Sequence, residues 1–122
     1  SGRADAENRK RGVCRLRIAP VGRLFPQRRR VENGFSCNDH IFLDGKVHDA
    51  DRIDYLTRYI NELSKAIDAG TDVIGYFHWS FTDNFEWHSG YNERFGLVYI
   101  DYATGRRIPK DSFRWYSQLI RR

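Results

Sequence analysis

The chain has 122 residues, about the size of one domain, and its 21 Lys+Arg against 16 Asp+Glu residues give a formal net charge of +5. No stretch approaches the roughly 18 consecutive apolar residues of a transmembrane helix, and no basic-then-apolar leader opens the chain. We therefore expect neither a membrane span nor a signal peptide, while an apolar content of 40% is enough for a hydrophobic core.

The two cysteines, Cys14 and Cys37, are too few for a disulfide scaffold or for a zinc site built from cysteines. We interpret them as reduced thiols, which favours a cytoplasmic location. The histidines His40, His48 and His88 do not share the spacing of a metal site, so the sequence predicts no metal and no other cofactor.

The first 30 residues differ from the rest of the chain in charge. Residues 1–30 hold nine Arg and one Lys against Asp5 and Glu7, whereas residues 31–122 hold 11 basic and 14 acidic residues. The basic segment lacks helical or strand periodicity, so we expect it to be disordered. Two alternatives remain open: an arm that binds nucleic acid through Arg–phosphate contacts, which the scarcity of aromatic residues disfavours, and a frameshifted or misjoined stretch.

The orderly part of the chain begins at Val31. Residues 49–70 are predicted to form a helix, capped by Asp49 or Asp51 and ended by Gly70. Its apolar stripe recurs at spacings of three and four: Ile53, Leu56, Ile60, Leu63 and Ile67.

A short strand is predicted next, over residues 72–79, apolar on both faces as in a buried parallel sheet. A second strand follows over 96–101, then a turn over 103–106 and a last helix that starts at Pro109. The apolar side of that helix is Phe113, Tyr116, Leu119 and Ile120. The order of helix, short turn and buried strand is typical of an α/β fold.

Residues 76–102 contain ten aromatic side chains, interleaved with ionisable and amide groups. This mixture suits a pocket in which rings stack on a sugar while carboxylates and amides bind its hydroxyls. An aromatic mini-core with a few charges at its rim is the alternative. For the polar residues nearby we expect structural roles: a core histidine at His78, loop hydrogen bonds from Asp83 and Asn84, and a salt bridge at Arg94. Cys37 is expected to be a structural thiol.

A turn with an acid at its tip, Glu32-Asn33-Gly34, precedes the aromatic block, and the two occur among a longer series of motifs. The series continues with Asp44-Gly45-Lys46-Val47-His48-Asp49, Arg52-Ile53-Asp54-Tyr55, Gly75-Tyr76-Phe77-His78-Trp79-Ser80, Asp83-Asn84-Phe85-Glu86-Trp87, Arg94-Phe95-Gly96-Leu97-Val98-Tyr99-Ile100-Asp101 and Lys110-Asp111-Ser112. In order and spacing, residues 31–120 closely resemble the C-terminal part of family 1 glycoside hydrolases, the β-glucosidase family. The family consists of (β/α)8 barrels, and a whole barrel needs roughly 200 residues or more. The resemblance therefore implies that residues 31–122 are the C-terminal fragment of such a TIM barrel, with its last two βα units.

The resemblance also implies roles for five residues of a retaining β-glucosidase. Glu32 matches the catalytic nucleophile. Four further residues match substrate-binding positions: Trp79 as a stacking wall, Glu86 as an acceptor for sugar hydroxyls, Trp87 as an indole donor, and Phe95 as an aromatic that closes the pocket. A carboxylate at position 86 favours an unphosphorylated β-glucoside, because a phosphate there would be repelled.

The acid/base half of this chemistry is missing from the sequence. The family carries its second carboxyl group in an Asn-Glu-Pro motif, which this chain lacks, and neither Glu62 nor Glu93 replaces it. Arg28–Arg30 also stand where the family has an apolar strand, so we expect that strand to be damaged. The isolated chain is thus predicted to be inactive and to require the missing N-terminal barrel half. The alternatives are a non-catalytic carbohydrate-binding remnant and a basic-armed nucleic-acid-binding protein.

Overall fold

The computed structural model describes residues 29–121. These form four strands and two helices in the order β1 (Arg29–Asn33), α1 (Ala50–Asp68), β2 (Val73–His78), β3 (Val98–Ile100), β4 (Arg107–Pro109) and α2 (Asp111–Leu119). The predicted basic arm, apart from its last two residues, lies outside the described residues.

Strands β1 and β2 pair in parallel, joined by α1, and so form the βαβ step that the sequence predicts. The register places Glu32 opposite Phe77 and Asn33 opposite His78. The strand that was expected to be damaged pairs along its backbone from Arg29 onward, with one register irregularity between Arg29 and Arg30, while Arg28 lies outside the described residues. Pairing is possible because the ladder uses backbone N–H and C=O groups, which arginine supplies like any other residue except proline.

Helix α1 confirms the predicted segment, and its stripe buries Leu56 and Leu63, whereas Ile67 is 47% exposed. The helix ends as expected, with Gly70 at φ 96° donating its N–H to Ile67 O. The predicted cap position at Asp49 was right, but the capping bond was not. Asp49 occupies the N-cap position, but its carboxylate makes no capping bond and instead accepts hydrogen bonds from the N–H and hydroxyl of Ser112, at the start of α2.

Strands β3 and β4 form a separate antiparallel pair. Pro109 does not begin the last helix, as predicted, but ends β4, and α2 begins at Asp111. Proline fits the end of this strand because β4 is an edge that has no further strand beyond it among the described residues. Ile120 lies beyond the helix and is 66% exposed, so it does not belong to the apolar side of α2.

The core of the described part is small and partly ionic. Its buried apolar side chains are Val47, Leu56, Leu63, Leu97, Val98 and Ile108. The two largest fully buried side chains are instead charged, Arg52 and Lys110. Neither helix in residues 29–121 combines the length and the apolar character needed to span a bilayer.

Candidate active site

The carboxyl end of the parallel sheet holds Glu32. Side chains alternate between the two faces of a strand, and the neighbouring Asn33 is buried on the α1 side. There the side-chain oxygen of Asn33, Oδ1, accepts a 2.5 Å hydrogen bond from the Tyr76 hydroxyl. Its side-chain Nδ2–H donates to the Tyr55 hydroxyl at 3.2 Å. Glu32 therefore lies on the opposite face, away from α1, where it is exposed.

Trp79 continues β2 on the same face as Glu32. Its backbone N–H donates to Asn33 O at 2.8 Å, which extends the parallel ladder by one step. Phe77 is the register partner of Glu32, and Trp79 follows two residues later, so these three side chains share one face. Trp79 is 44% exposed and Phe77 is 53% exposed. The structure thus brings an acid and an indole together at the end of the sheet.

The loop between β2 and β3 returns to this face through Glu86. The Trp79 indole N–H donates a hydrogen bond to Glu86 Oε1 at 3.1 Å. The backbone of Glu86 is held by two hydrogen bonds with Gly90, at 2.9 and 2.7 Å. Gly90 has a φ of 63°, which L side chains rarely adopt, so the tight turn requires glycine there. Glu86 is consequently fixed both at its backbone and at its carboxylate.

The two remaining predicted sugar-binding residues differ in their surroundings. Trp87 is 97% exposed and contacts Phe85 edge to face, with ring centroids 6.3 Å apart. Phe95 lies against Gly34, since a Cβ built on that glycine would stand 3.3 Å from the Phe95 ring. Phe95 thereby joins the Glu32 turn to the β2–β3 loop, whereas Trp87 projects outward from the loop.

His78, the last residue of β2, forms a hydrogen bond with the backbone of this loop. Its Nε2–H donates to Phe95 O at 3.2 Å, while Nδ1 is buried without a partner among the described residues. Burial lowers the pKa of His78 to about 4, so the ring is neutral near pH 7. The predicted role of a hydrogen-bonded core histidine is confirmed for one ring nitrogen.

Sequence reasoning missed a buried network of charges that lies behind the site. Asp83, expected only to hold its loop, has a fully buried side chain that pairs with Arg94 at 2.7 Å and Lys110 at 2.8 Å. Lys110 also pairs with Asp39, which in turn pairs with Arg52. The salt bridge predicted at Arg94 is confirmed. Two sequence signals point to Arg52: it opens the motif Arg52-Ile53-Asp54-Tyr55, and it lies four residues before Leu56, in phase with the buried stripe of α1.

An open cleft of about 450 Å³ lies elsewhere, lined by residues 35–40 and 48–51. It contains none of the predicted sugar-binding side chains. Cys37 lines it, and burial raises the pKa of this thiol to about 11, which keeps the thiol protonated and unreactive near pH 7. We therefore place the candidate site on the face of Glu32 and Trp79, not in this cleft.

Comparisons with known proteins show that the chain is similar to part of several β-glucosidases. The bifunctional β-D-glucosidase/β-D-fucosidase of Bifidobacterium breve is 54% identical over 94 residues, which is 74% of this chain and 20% of that protein. β-Glucosidase A of Thermotoga maritima is 52% identical over 91 residues, covering 75% of this chain and 20% of its own length. This chain therefore spans about a fifth of the length of such relatives.

Solved structures give the same result. The family 1 β-glucosidase from Thermotoga maritima superposes with a TM-score of 0.73 at 52% identity, over 75% of this chain and 21% of that structure. Similar matches include the Thermotoga β-glucosidase in complex with deoxynojirimycin and with glucoimidazole. The likeness fits a fragment of an α/β barrel. The family profile of Glycosyl hydrolase family 1 matches residues 29–122, beginning two residues before the boundary that the sequence predicts, and the chain belongs to this family.

Proposed function

We propose that this chain carries the nucleophile and part of the sugar-binding wall of a retaining β-glucosidase that hydrolyses terminal β-linked glucosyl residues. The observation that supports it best is the shared face of Glu32 and Trp79, with the Trp79 indole bonded to Glu86. A sugar ring has apolar C–H faces and a polar rim, and this surface offers an indole plane and two carboxylates to match.

Each residue has one task in this proposal. Glu32 attacks the anomeric carbon and forms the glycosyl-enzyme intermediate. Trp79 stacks on the ring, and Glu86 accepts hydrogen bonds from its hydroxyls. The exposed Trp87 donates its indole N–H to a neighbouring hydroxyl, and Phe95 limits the pocket on the side of Gly34.

A second carboxyl group must stand about 5–5.5 Å from the nucleophile to protonate the leaving group. The sequence has no Asn-Glu-Pro motif to supply it. We propose that the 122 residues alone do not hydrolyse glucosides, and that activity requires the remaining strands of a barrel. Parallel sheets are normally covered on both faces, whereas Phe77 is half exposed on the face of Glu32.

Complementation tests this proposal. The chain is mixed with the N-terminal four-fifths of Thermotoga maritima β-glucosidase A, and release of 4-nitrophenol from 4-nitrophenyl β-glucoside is measured. We expect no release from either part alone and turnover from the mixture. Glu32→Gln removes the nucleophile with little change in shape and abolishes turnover, a loss of about 10⁴-fold or more. Glu62→Gln, on the exposed face of α1, is the matched control and leaves the rate unchanged.

Two results would contradict the proposal. Turnover by the chain alone would show that the acid/base half is not missing. Turnover by the mixture that survives Glu32→Gln would show that Glu32 is not the nucleophile.

Carbohydrate binding without catalysis is the second candidate. It is favoured by the 97% exposure of Trp87 beside the Trp79–Glu86 pair, because an exposed indole next to a carboxylate suits a sugar platform. Titration of the chain alone with deoxynojirimycin, followed by tryptophan fluorescence, measures it. Saturable binding by the chain together with an inactive mixture would favour this candidate over the enzyme.

A further inference from the structure

Asp83 is the most heavily bonded carboxylate at the base of the β2–β3 loop. Its Oδ1 accepts from Gly96 N–H at 2.9 Å and from Lys110 Nζ at 2.8 Å. Its Oδ2 accepts from Arg94 at 2.7 Å and from Ile100 N–H at 3.4 Å. A buried carboxylate with four donors has a single orientation, so Asp83 holds both ends of the segment 84–95 at one point.

The charged contacts continue from Asp83 toward the loop that follows Glu32. Lys110 bridges Asp83 and Asp39, and Asp39 accepts from Arg52 at 2.7 Å. Arg52 also donates to Asp49, to Phe35 O at 3.2 Å and to Arg94 O at 2.7 Å. Three cations and three carboxylates thus alternate through the interior: Arg52, Lys110 and Arg94 with Asp39, Asp49 and Asp83. All six side chains are 0–2% exposed except Arg94, at 15%.

Such a network is a costly way to gain stability, since desolvation offsets much of the Coulomb attraction. Its geometric effect is specific. It joins the β1–α1 loop, which contains Asp39 and Asp49, to the β2–α2 connection, which contains Asp83, Arg94 and Lys110. The first loop follows Glu32, and the second carries Glu86 and Trp87.

The backbone of the β2–β3 loop is also clamped near its base. Residues 80–83 pair with residues 95–98 through four hydrogen bonds: Ser80 N–H to Phe95 O, Leu97 N–H to Ser80 O, Val98 N–H to Phe81 O and Asp83 N–H to Val98 O. Gly96 is required here, because a Cβ on it would stand 2.1 Å from Asp83 N. Beyond this clamp, Glu86 is held by hydrogen bonds with Gly90 and with the Trp79 indole, and the Tyr102 hydroxyl donates to Asn84 O at 3.2 Å.

We propose that Asp83 and Lys110 are positioning residues that set the Glu86–Trp87 loop relative to Glu32. Its importance for catalysis rests on the proposed function, whereas the positioning of the loop can be measured without turnover. Both side chains are fully buried, so neither is placed to touch a bound sugar. Both act through Glu86, whose carboxylate is correctly placed for the Trp79 indole only when the loop base is fixed.

The chain has three tryptophans, which makes 19F NMR of the 5-fluorotryptophan-labelled chain a direct test. Trp79 and Trp87 report on the site, and Trp115, on α2, reports on the rest of the molecule. In Asp83→Asn we expect the Trp79 and Trp87 resonances to shift and broaden while the Trp115 resonance keeps its position. Asp54→Asn, which breaks an exposed pair with Arg58, is the control and changes none of the three.

Arg94→Gln is the second variant, because it removes one ion pair at the partly exposed end of the network and leaves Lys110 on Asp83. It is expected to give a smaller change of the same pattern if Asp83→Asn does not fold. A merely stabilising role predicts that both variants lower the unfolding temperature while all three resonances keep their native positions, and that result would overturn the proposal. Wild-type resonances that all lie at the position of the urea-unfolded chain would overturn it as well, because the network would then not be formed.

A titration with deoxynojirimycin separates this inference from the proposed function. Wild-type Trp79 and Trp87 resonances that respond to the inhibitor support the sugar site, and in Asp83→Asn we expect the affinity to fall by about 10-fold or more. No response in the wild type would contradict carbohydrate binding by the chain alone, while the complementation assay tests the enzyme. The 19F shifts of the variants without inhibitor would still test whether Asp83 and Lys110 position the loop.

Discussion

The carbonyl oxygen of Trp79 occupies the space beside Gly34 into which any larger side chain would project. A Cβ built on Gly34 would stand 1.8 Å from this oxygen and 3.3 Å from the Phe95 ring. The close approach follows from the parallel ladder, because Trp79 N–H donates to the carbonyl of Asn33, the residue before Gly34. Glycine at position 34 is therefore what lets the end of β1 lie directly against the chain after β2.

Gly34→Ala is expected to destabilise the chain by about 3 kcal/mol, since the obstacle is backbone and cannot rotate away. Urea unfolding followed by circular dichroism measures the loss. Gly75→Ala is the matched control in β2, where the added Cβ would meet only the ring of the half-exposed Phe77, at 3.1 Å. Because that ring is free to move aside, equal losses in the two variants would contradict the role given to Gly34.

Arg52→Met tests the buried ion network energetically. Methionine retains much of the volume but leaves Asp39 and Asp49 buried without a guanidinium, so we expect a loss of about 3–5 kcal/mol. Arg58→Met removes an exposed partner of Asp54 on the same helix and is expected to cost no more than about 1 kcal/mol. The urea midpoints of the two variants give the two losses of unfolding free energy. A smaller loss for Arg52→Met than for Arg58→Met would contradict the structure.

The sequence predicted those elements that depend on interactions between residues close together in the chain. The spacing of Leu56 and Leu63 places the buried face of α1, and Gly70 marks its end because only glycine enters that φ without strain. The alternation along β1 and β2 likewise brings Glu32 and Trp79 to one face. The candidate site could therefore be located from the sequence once the two strands were known to be adjacent.

Contacts between distant residues were the part that sequence could not predict. Lys110 resembles a surface residue until Asp39 and Asp83, 71 and 27 positions away, are brought to its ammonium group. Asp49 and Asp51 were the two predicted helix caps because their own neighbourhood favours one, but the Asp49 carboxylate accepts hydrogen bonds from Ser112, 63 positions away. Pro109 was assigned to a helix for the same reason, since β4 exists only through its pairing with β3.

The partly buried His78 makes the stability of the chain depend on pH. Burial lowers its folded pKa to about 4, below the ordinary value of 6.5, so the unfolded chain binds the proton more tightly. The contribution of the neutral ring is complete above about pH 6.5 and is lost as the pH falls toward 4, by at most about 2 kcal/mol. Unfolding temperatures of the wild type and His78→Val measure it. The wild type should lose more than the variant on acidification, and parallel profiles would contradict the assignment.

His48 gives the opposite dependence, because hydrogen bonds to Asp111 and then Asp44, at 2.6 and 3.0 Å, raise its pKa. The Phe42 ring is its other neighbour, at 5.0 Å, and carries no charge. A raised folded pKa means that the bridge contributes fully below about pH 6.5 and is lost as the pH rises through the folded value. The His48 imidazolium joins the loop at Asp44 to the start of α2, so alkaline pH weakens this connection. Acidic pH instead weakens the contribution of His78. The stabilising effect of His48 over His48→Gln should be larger at about pH 6 than at about pH 9. Because the bridge is exposed, added salt should reduce that difference, and a difference that grows with pH would contradict the geometry of the bridge.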